Sequence, residues 1–287
     1  MALQITKDEK QLRRIANEVR KDVVRMTTAA QSGHPGGSLG LSDVYTALYF
    51  SGVLKQELKN PQSEGRDRVI VSNGHICPVW YAVQAQAGYL PREELLTFRK
   101  LGSRLQGHPT RGRLPTIELS TGSLGQGMSA AVGYALGLKL LGKENKVFCS
   151  VGDGELEEGG TWEAAMAAAH YKLGNLIVFC DRNGLQQNGA TETLIGLEPL
   201  KKKYEAFNWN VLEADGHDFA KIILAFEKAR ANSNSGKPTI IFFKTVMGKG
   251  VTFMEGDHQW HGKPLPPDQA EKALALLQEI GNKIEAE

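Results

Sequence analysis

Apolar residues recur at helical spacing near the start of the chain. Leu12, Ile15, Ala16, Val19, Val23 and Met26 fall on one face with charges on the other, which predicts a helix over 8–31. The rhythm breaks at Ser32-Gly33-His34-Pro35-Gly36-Gly37, after which Ser42-Asp43 offer caps for a helix through Phe50. Short continuous apolar runs bounded by Gly, Asn or Asp then predict strands over 67–72, 146–151, 175–181, 209–214 and 238–246. Helical patterns fill the intervals at 78–87, 92–99, 120–141, 161–172, 201–206 and 218–232, and a last helix closes the chain over 267–286. Glycine- and histidine-bearing loops are expected over 102–114 and 248–262.

Strands alternating with helices predict an α/β fold, an open and mostly parallel sheet with helices on both faces. No repeat or low-complexity segment divides the chain. The expectation is therefore a single domain over 1–287, with a Pro-rich run at 263–268 leading into a linker-like terminal helix.

Composition narrows the class. A chain of 287 residues, 41% hydrophobic, can fill one large core. The 34 basic and 32 acidic residues are mixed along it, so no nucleic-acid surface is expected. Cys77, Cys149 and Cys180 lack metal-ligand spacing, and Cys149 and Cys180 fall inside strands as small core residues. So sparse and odd a set fits a reducing compartment. The segment from Met1 to Asp8 has no apolar signal-peptide core, and no run approaches membrane-spanning length. These features suggest a cytoplasmic protein with no membrane association.

Chemistry concentrates past the ends of two strands. Gly152-Asp153-Gly154-Glu155-Leu156-Glu157-Glu158-Gly159 follows the 146–151 run, and Asn183 follows the 175–181 run, with an Ala-rich helix between them. In a β-α-β unit both motifs lie at the carboxyl edge of a parallel sheet, where ligands bind. A carboxylate and an amide oxygen on adjoining loops suit a hard cation that completes its shell with phosphate oxygens and water. Glycines beside Asp153 allow a bulky anion close to the backbone. The chemical reading is a metal-bridged diphosphate. Asp153 capping the next helix and Asn183 holding a turn are the simpler alternatives.

Of the seven histidines, His34, His75, His108, His217 and His261 adjoin glycine, and His258 lies between Gly256 and Gly262. Histidines in glycine-rich loops at strand ends can donate to phosphate or move protons near neutral pH. His34, His75, His108 and His258 form the functional set on this pattern. His170 and His217 sit in no distinctive motif and read as surface or turn residues.

Together the motifs resemble the N-terminal, diphosphate-binding part of the transketolase family of thiamine-diphosphate enzymes. Those that carry the resemblance are Ser32-Gly33-His34-Pro35-Gly36, Ser72-Asn73-Gly74-His75, Gly102-Ser103-Arg104 with Gly107-His108-Pro109, residues 120–127, residues 152–159, Asp181-Arg182-Asn183 and Asp257-His258-Gln259-Trp260-His261-Gly262. They occur in the family's order over nearly the whole chain. The resemblance implies the thiamine-diphosphate-binding fold and specific roles. Asp153, Asn183 and the Leu185 carbonyl would hold Mg²⁺ or Ca²⁺. Gly154, His75 and His258 would contact the diphosphate, and Gly122 and Leu124 would line the ring side of the cofactor. His34 and His108, with His258 nearby, would bond the sugar hydroxyls. Glu158 would sit at a subunit interface linking two sites, although a solvated charge at a helix start fits it equally well. Ser123 departs from the proline common in this loop, a change expected to alter its stiffness.

The same resemblance implies transfer of a two-carbon ketol unit from a ketose phosphate to an aldose phosphate, as in the pentose phosphate pathway. It also implies a partner. Complete members are more than twice as long, and no residue here matches the glutamate that contacts the cofactor's aminopyrimidine ring. The expectation is the N-terminal subunit of a split transketolase, completed by a chain carrying the pyrimidine-binding and C-terminal domains in an α₂β₂ assembly. The initiator-like Met1 and a polar tail over 281–287 fit a natural subunit. Alternatives are a split transketolase for a modified sugar and a non-catalytic thiamine-diphosphate-binding homologue.

Overall fold

The computed structural model describes residues 4–287; Met1, Ala2 and Leu3, where the N-terminal sequence reading begins, lie outside the described residues. Five strands form one wholly parallel sheet: β1 (Arg68–Val71), β2 (Val147–Gly152), β3 (Leu176–Arg182), β6 (Asn210–Asp215) and β7 (Thr239–Lys244). Their spatial order is β1-β2-β3-β7-β6. A two-stranded hairpin, β4 (Leu185–Gln186) with β5 (Gly189–Ala190), follows β3.

The strand residues alternate between two cores. Val69, Val71, Phe148, Ile177, Phe179, Ile241 and Phe243 face one side. There they meet α1 (Glu9–Ala30), α3 (Ser42–Phe50), α4 (Cys77–Ala87), α9 (Phe219–Ala231) and α10 (Pro267–Ala286). Ile70, Cys149, Val151, Val178, Cys180, Ile240 and Phe242 face the other, against α5 (Gln126–Leu140), α6 (Gly159–His170) and α8 (Leu200–Ala206). Burial on both faces explains why the strands read as unbroken apolar runs. All three cysteines are buried and free, Cys149 and Cys180 as the core residues expected and Cys77 with them. No helix among the described residues is long and apolar enough to cross a membrane.

The terminal helix lies along α1: Asn17 donates to the Leu277 carbonyl at 2.8 Å and Lys21 to Gln278 at 3.0 Å. It is part of a layer, not a free extension.

Local readings change in four places. The break at 32–37 contains a short buried helix, α2 (Pro35–Gly40), that Gly-Gly-Ser composition conceals. Its Pro35 sits in the first turn, where no amide hydrogen is needed. Residues 92–97 form a 3₁₀ turn, and α5 begins only at Gln126 because 120–125 runs as loop. A short helix, α7 (Thr191–Leu194), follows the hairpin.

One buried ionic cluster ties the first core face together. Arg20 donates to Asp43 at 2.6 Å, and the same carboxylate oxygen meets His217 Nδ1 at 2.8 Å. His217 Nε2 accepts from the Val246 amide at 2.9 Å. Thus His217, read as a surface or turn residue, does lie in the turn after β6, and there it is a partly buried structural link between α3 and the exit from β7. Asp43→Ala leaves the Arg20 guanidinium buried and unpaired, and should cost about 3–5 kcal/mol in urea-unfolding free energy. A loss below about 1 kcal/mol would show that the cluster is not held as the structure places it.

Candidate functional site

The sheet register assembles the site floor. Gly152 pairs with Asp181, so the next residues, Asp153 and Arg182, emerge side by side. Asp153 is 2% exposed; its Oδ1 accepts from Arg182 Nη1 at 3.1 Å and its Oδ2 from the Gly184 amide at 2.5 Å. Asn183 donates through Nδ2 to Asp181 at 2.9 Å and accepts the Leu185 amide on Oδ1 at 2.8 Å. Thr245, just beyond β7, donates to Asp181. Asp153, Gly154, Asn183 and Leu185 therefore share one cavity of about 240 Å³ at the carboxyl edge of the sheet.

Burial dominates the electrostatics of this floor. It pushes the Asp153 carboxyl up to about 6 against the opposing pull of Arg182 and the Gly184 amide. It pushes Asp181 up to about 7, with the Asp153 charge adding to the rise. Glu155, 1% exposed, is likewise raised to about 7 by burial. Glu155 bonds Ser72 and accepts the Gly125 amide at 2.9 Å, tying the 120–127 loop to the floor. Among the described residues, no three His, Cys, Asp or Glu side chains cluster as a metal site. The oxygen donors that line the cavity include the Asp153, Asp181 and Glu155 carboxylates and the Asn183 amide.

Histidines form the opposite wall. The buried α2 is clamped between the loop after β7 and the turn after β1. A Cβ on Gly36 would lie 2.7 Å from the Trp260 carbonyl oxygen, and the Gly248 amide donates to the Gly36 carbonyl at 2.9 Å. That clamp sets His34, which precedes α2, beside three other rings. Its centroid lies 5.3 Å from His75, 6.2 Å from His108 and 5.6 Å from His261, and His75 and His261 are 4.8 Å apart. Gly122 adopts φ +121°, and a Cβ there would lie 2.5 Å from the His108 ring, so only glycine lets the loop pass.

The structure sets the His75 and His108 rings beside that of His34, and places His261 there in the stead of His258. His258 begins a 3₁₀ turn over His258–Trp260; its side chain is 40% exposed and its ring points toward Asp257. The turn rotates His261, three residues on, into the cluster instead. Leu124 lines the cavity, and Glu158 stands exposed at its rim beside Gly125. His170 remains exposed on α6. Asn73, a member of the Ser72–His75 motif to which the sequence assigns no role, also belongs to the site. This residue is 1% exposed, lines the cavity and has no hydrogen-bond partner for either side-chain polar atom. His34 Nδ1 and His261 Nδ1 are also buried without partners. Unpartnered buried polar atoms converging on a cavity mark ligand contacts. Their one sequence signal is position, directly after a strand or inside a Gly-His loop.

The histidine wall is held neutral. Burial lowers His34 to about 3, helped by the His261, Arg99 and His108 charges, and drives His75 well below its ordinary value. Burial lowers His108 and His261 too. A depressed imidazole contributes stability above its unfolded value of about 6.5 that is lost as pH falls toward the folded value. In ¹⁵N-histidine spectra of the protein, all four rings should be less than half protonated at pH 6.5, with His34 neutral down to about pH 4. A charged His34 at pH 6 would contradict the geometry.

The comparisons with known proteins converge on one family. Residues 11–281 match the family described as transketolase, thiamine diphosphate binding domain. An apulose-4-phosphate transketolase subunit of Actinobacillus succinogenes is 40% identical over 260 residues, covering 91% of this chain and 93% of that protein. Transketolase of Homo sapiens is 39% identical over 276 residues, covering 96% of this chain. The chain spans only 43% of that relative's length. The solved structure of transketolase from Campylobacter jejuni superposes with a TM-score of 0.85 at 35% identity, over 95% of this chain and 45% of that one.

Proposed function

The chain belongs to the transketolase family through its thiamine-diphosphate-binding domain, and on that premise we propose that it is the N-terminal subunit of a split transketolase. The reaction is transfer of a two-carbon ketol unit from a ketose phosphate to an aldose phosphate, as in the pentose phosphate pathway of the cytoplasm. One observation carries this reading: an oxygen-donor floor shares a single cavity at the sheet edge with His75 and His261, whose rings lie 5.3 Å and 5.6 Å from that of His34.

The residues fit a diphosphate held by a hard cation. Asp153, the Asn183 amide oxygen and the Leu185 carbonyl are the donor types that Mg²⁺ or Ca²⁺ takes. Gly154 has no Cβ to bar a phosphate; one there would come within 2.9 Å of Gln186. The unpartnered Asn73 amide, with His75 and His261, supplies donors to phosphate oxygens; His261 takes the place expected of His258. Leu124 and Gly122 give an apolar, close-packed side for the cofactor rings. When bound, thiamine diphosphate supplies the electron sink that breaks a carbon–carbon bond beside a ketone. His34 and His108 stand beside the cavity-lining histidines, the His34 ring 5.3 Å from His75, 5.6 Å from His261 and 6.2 Å from His108. As neutral imidazoles they can accept a proton from a sugar hydroxyl and return it, while positioning the sugar.

The site also calls for a second chain. No carboxylate of this chain has been assigned to the cofactor's aminopyrimidine ring, and few basic residues line the cavity to hold a sugar phosphate. A partner carrying the pyrimidine-binding and C-terminal domains, in an α₂β₂ assembly with Glu158 at an interface between sites, meets both needs. The apulose-4-phosphate transketolase subunit of Actinobacillus succinogenes is matched over 93% of its own length, which favours a second reading: a modified sugar phosphate as substrate.

Thiamine diphosphate and Mg²⁺ should bind the chain, while xylulose-5-phosphate/ribose-5-phosphate turnover should appear only after the partner chain is added. Robust turnover by this chain alone would contradict the split-subunit reading, and turnover only with a modified ketose would select the second. Alanine at His34 or His108 should lower kcat about 10²–10⁴-fold with cofactor affinity nearly unchanged. Alanine at Asp153 or Asn183 should instead weaken Mg²⁺-dependent cofactor binding about tenfold or more. The same defect in both groups would mean the division of roles is wrong.

A further inference from the structure

Arg182 makes contacts that the functional reading leaves unexplained. It ends β3 in register beside the Gly152–Asp153 turn, and its guanidinium is forked among three carboxylates. Nη1 donates to Asp153 Oδ1 at 3.1 Å and to Thr191 Oγ1 at 3.4 Å. Nη2 donates to Glu198 at 2.9 Å and to Glu192 at 3.3 Å. Its side chain is only 18% exposed, and the Asp153 carboxylate is fully buried. Glu192 and Glu198 are about half-exposed and lie on the segment that runs from the cavity wall at Leu185–Gln186 past α7 to α8. Glu192 is itself fixed by the Leu197 amide at 3.1 Å, and Glu198 by the Leu200 amide at 2.8 Å.

A guanidinium about 3 Å from a carboxylate oxygen and a divalent cation about 2.1 Å from the same oxygen place like charges at contact range, where repulsion is strong. Each therefore weakens the other's hold on the Asp153 carboxylate. We propose that Arg182 is a tethered internal cation that competes with the divalent metal for Asp153 and, when displaced, is retained by Glu192 and Glu198. Metal binding is thereby coupled to the segment that forms the outer cavity wall. Release of the guanidinium from Asp153 to the two glutamates would strengthen the pairs that hold residues 185–198 against the sheet. The proposal rests on the reading that Asp153 holds a divalent cation.

The competition makes two substitutions act in opposite directions, which a general loss of structure cannot do. Electron paramagnetic resonance titration of the full chain with Mn²⁺, with and without inorganic diphosphate, measures free against bound metal. Arg182→Gln should bind Mn²⁺ about tenfold more tightly than the unchanged protein, whereas Glu192→Gln/Glu198→Gln, which removes the alternative partners, should bind it several-fold more weakly. Lys244→Gln removes a positive charge from the residue paired with Arg182 in the sheet without touching Asp153, and should shift affinity by less than about twofold. Hydrogen exchange should show the amides of 185–198 gaining protection on Mn²⁺ addition in the unchanged protein and not in Arg182→Gln. Equal or weaker Mn²⁺ binding by Arg182→Gln, or a gain matched by Lys244→Gln, overturns the proposal while leaving the metal site intact. Asp153→Ala distinguishes the deeper failure: if it binds Mn²⁺ as the unchanged protein does, the cation is not at Asp153 and the functional reading falls with the proposal.

Discussion

The site depends on the register between two buried parallel strands. Because Gly152 pairs with Asp181, the turn after β2 and the turn after β3 leave the sheet at one level and side by side. A slip of one residue would exchange the two faces of a strand. It would also move Asp153 away from Arg182 and Asn183. The register is secured by burial: β2 and β3 are almost wholly inaccessible, with Phe148 and Phe179 on one face and Cys149 and Cys180 on the other. Two apolar cores of different composition thus hold a polar edge to within a residue. The same sheet, extended by β7, brings Thr245 onto Asp181 and starts the loop that delivers His261.

Much of this was legible in the sequence because it follows from local pattern. The buried strands announced themselves as apolar runs, and their alternation with helices specified a parallel sheet. A parallel sheet in turn specified the edge on which Asp153 and Asn183 would meet. His34, His75 and His108 were legible as members of glycine-rich loops, though nothing in the sequence showed that the His75 and His108 rings would lie 5.3 Å and 6.2 Å from that of His34.

What escaped was decided by tertiary contact. His258 and His261 lie three residues apart in a loop without period, and only the single 3₁₀ turn between them settles which one faces the cavity. The α2 helix, built from residues of poor helix propensity, forms because it is wedged between the Trp260 loop and the Gly74–Ile76 turn. His217 gave no motif, since its partners Asp43 and Val246 are distant in the chain and close only in the fold. Asn73 was visible as a strand-end residue, but its lack of any partner is a property of the packed interior.

The account stands on the claim that Asp153 and Asn183 hold a cation bridging the diphosphate of thiamine diphosphate. The most direct measurement is an anomalous difference map from crystals grown with thiamine diphosphate and Mn²⁺. The account predicts one strong peak about 2.0–2.3 Å from Asp153, the Asn183 side-chain oxygen and the Leu185 carbonyl, with diphosphate density reaching Asn73 and His261. Diphosphate bound with no peak at Asp153, or a peak ligated by other residues, would contradict it.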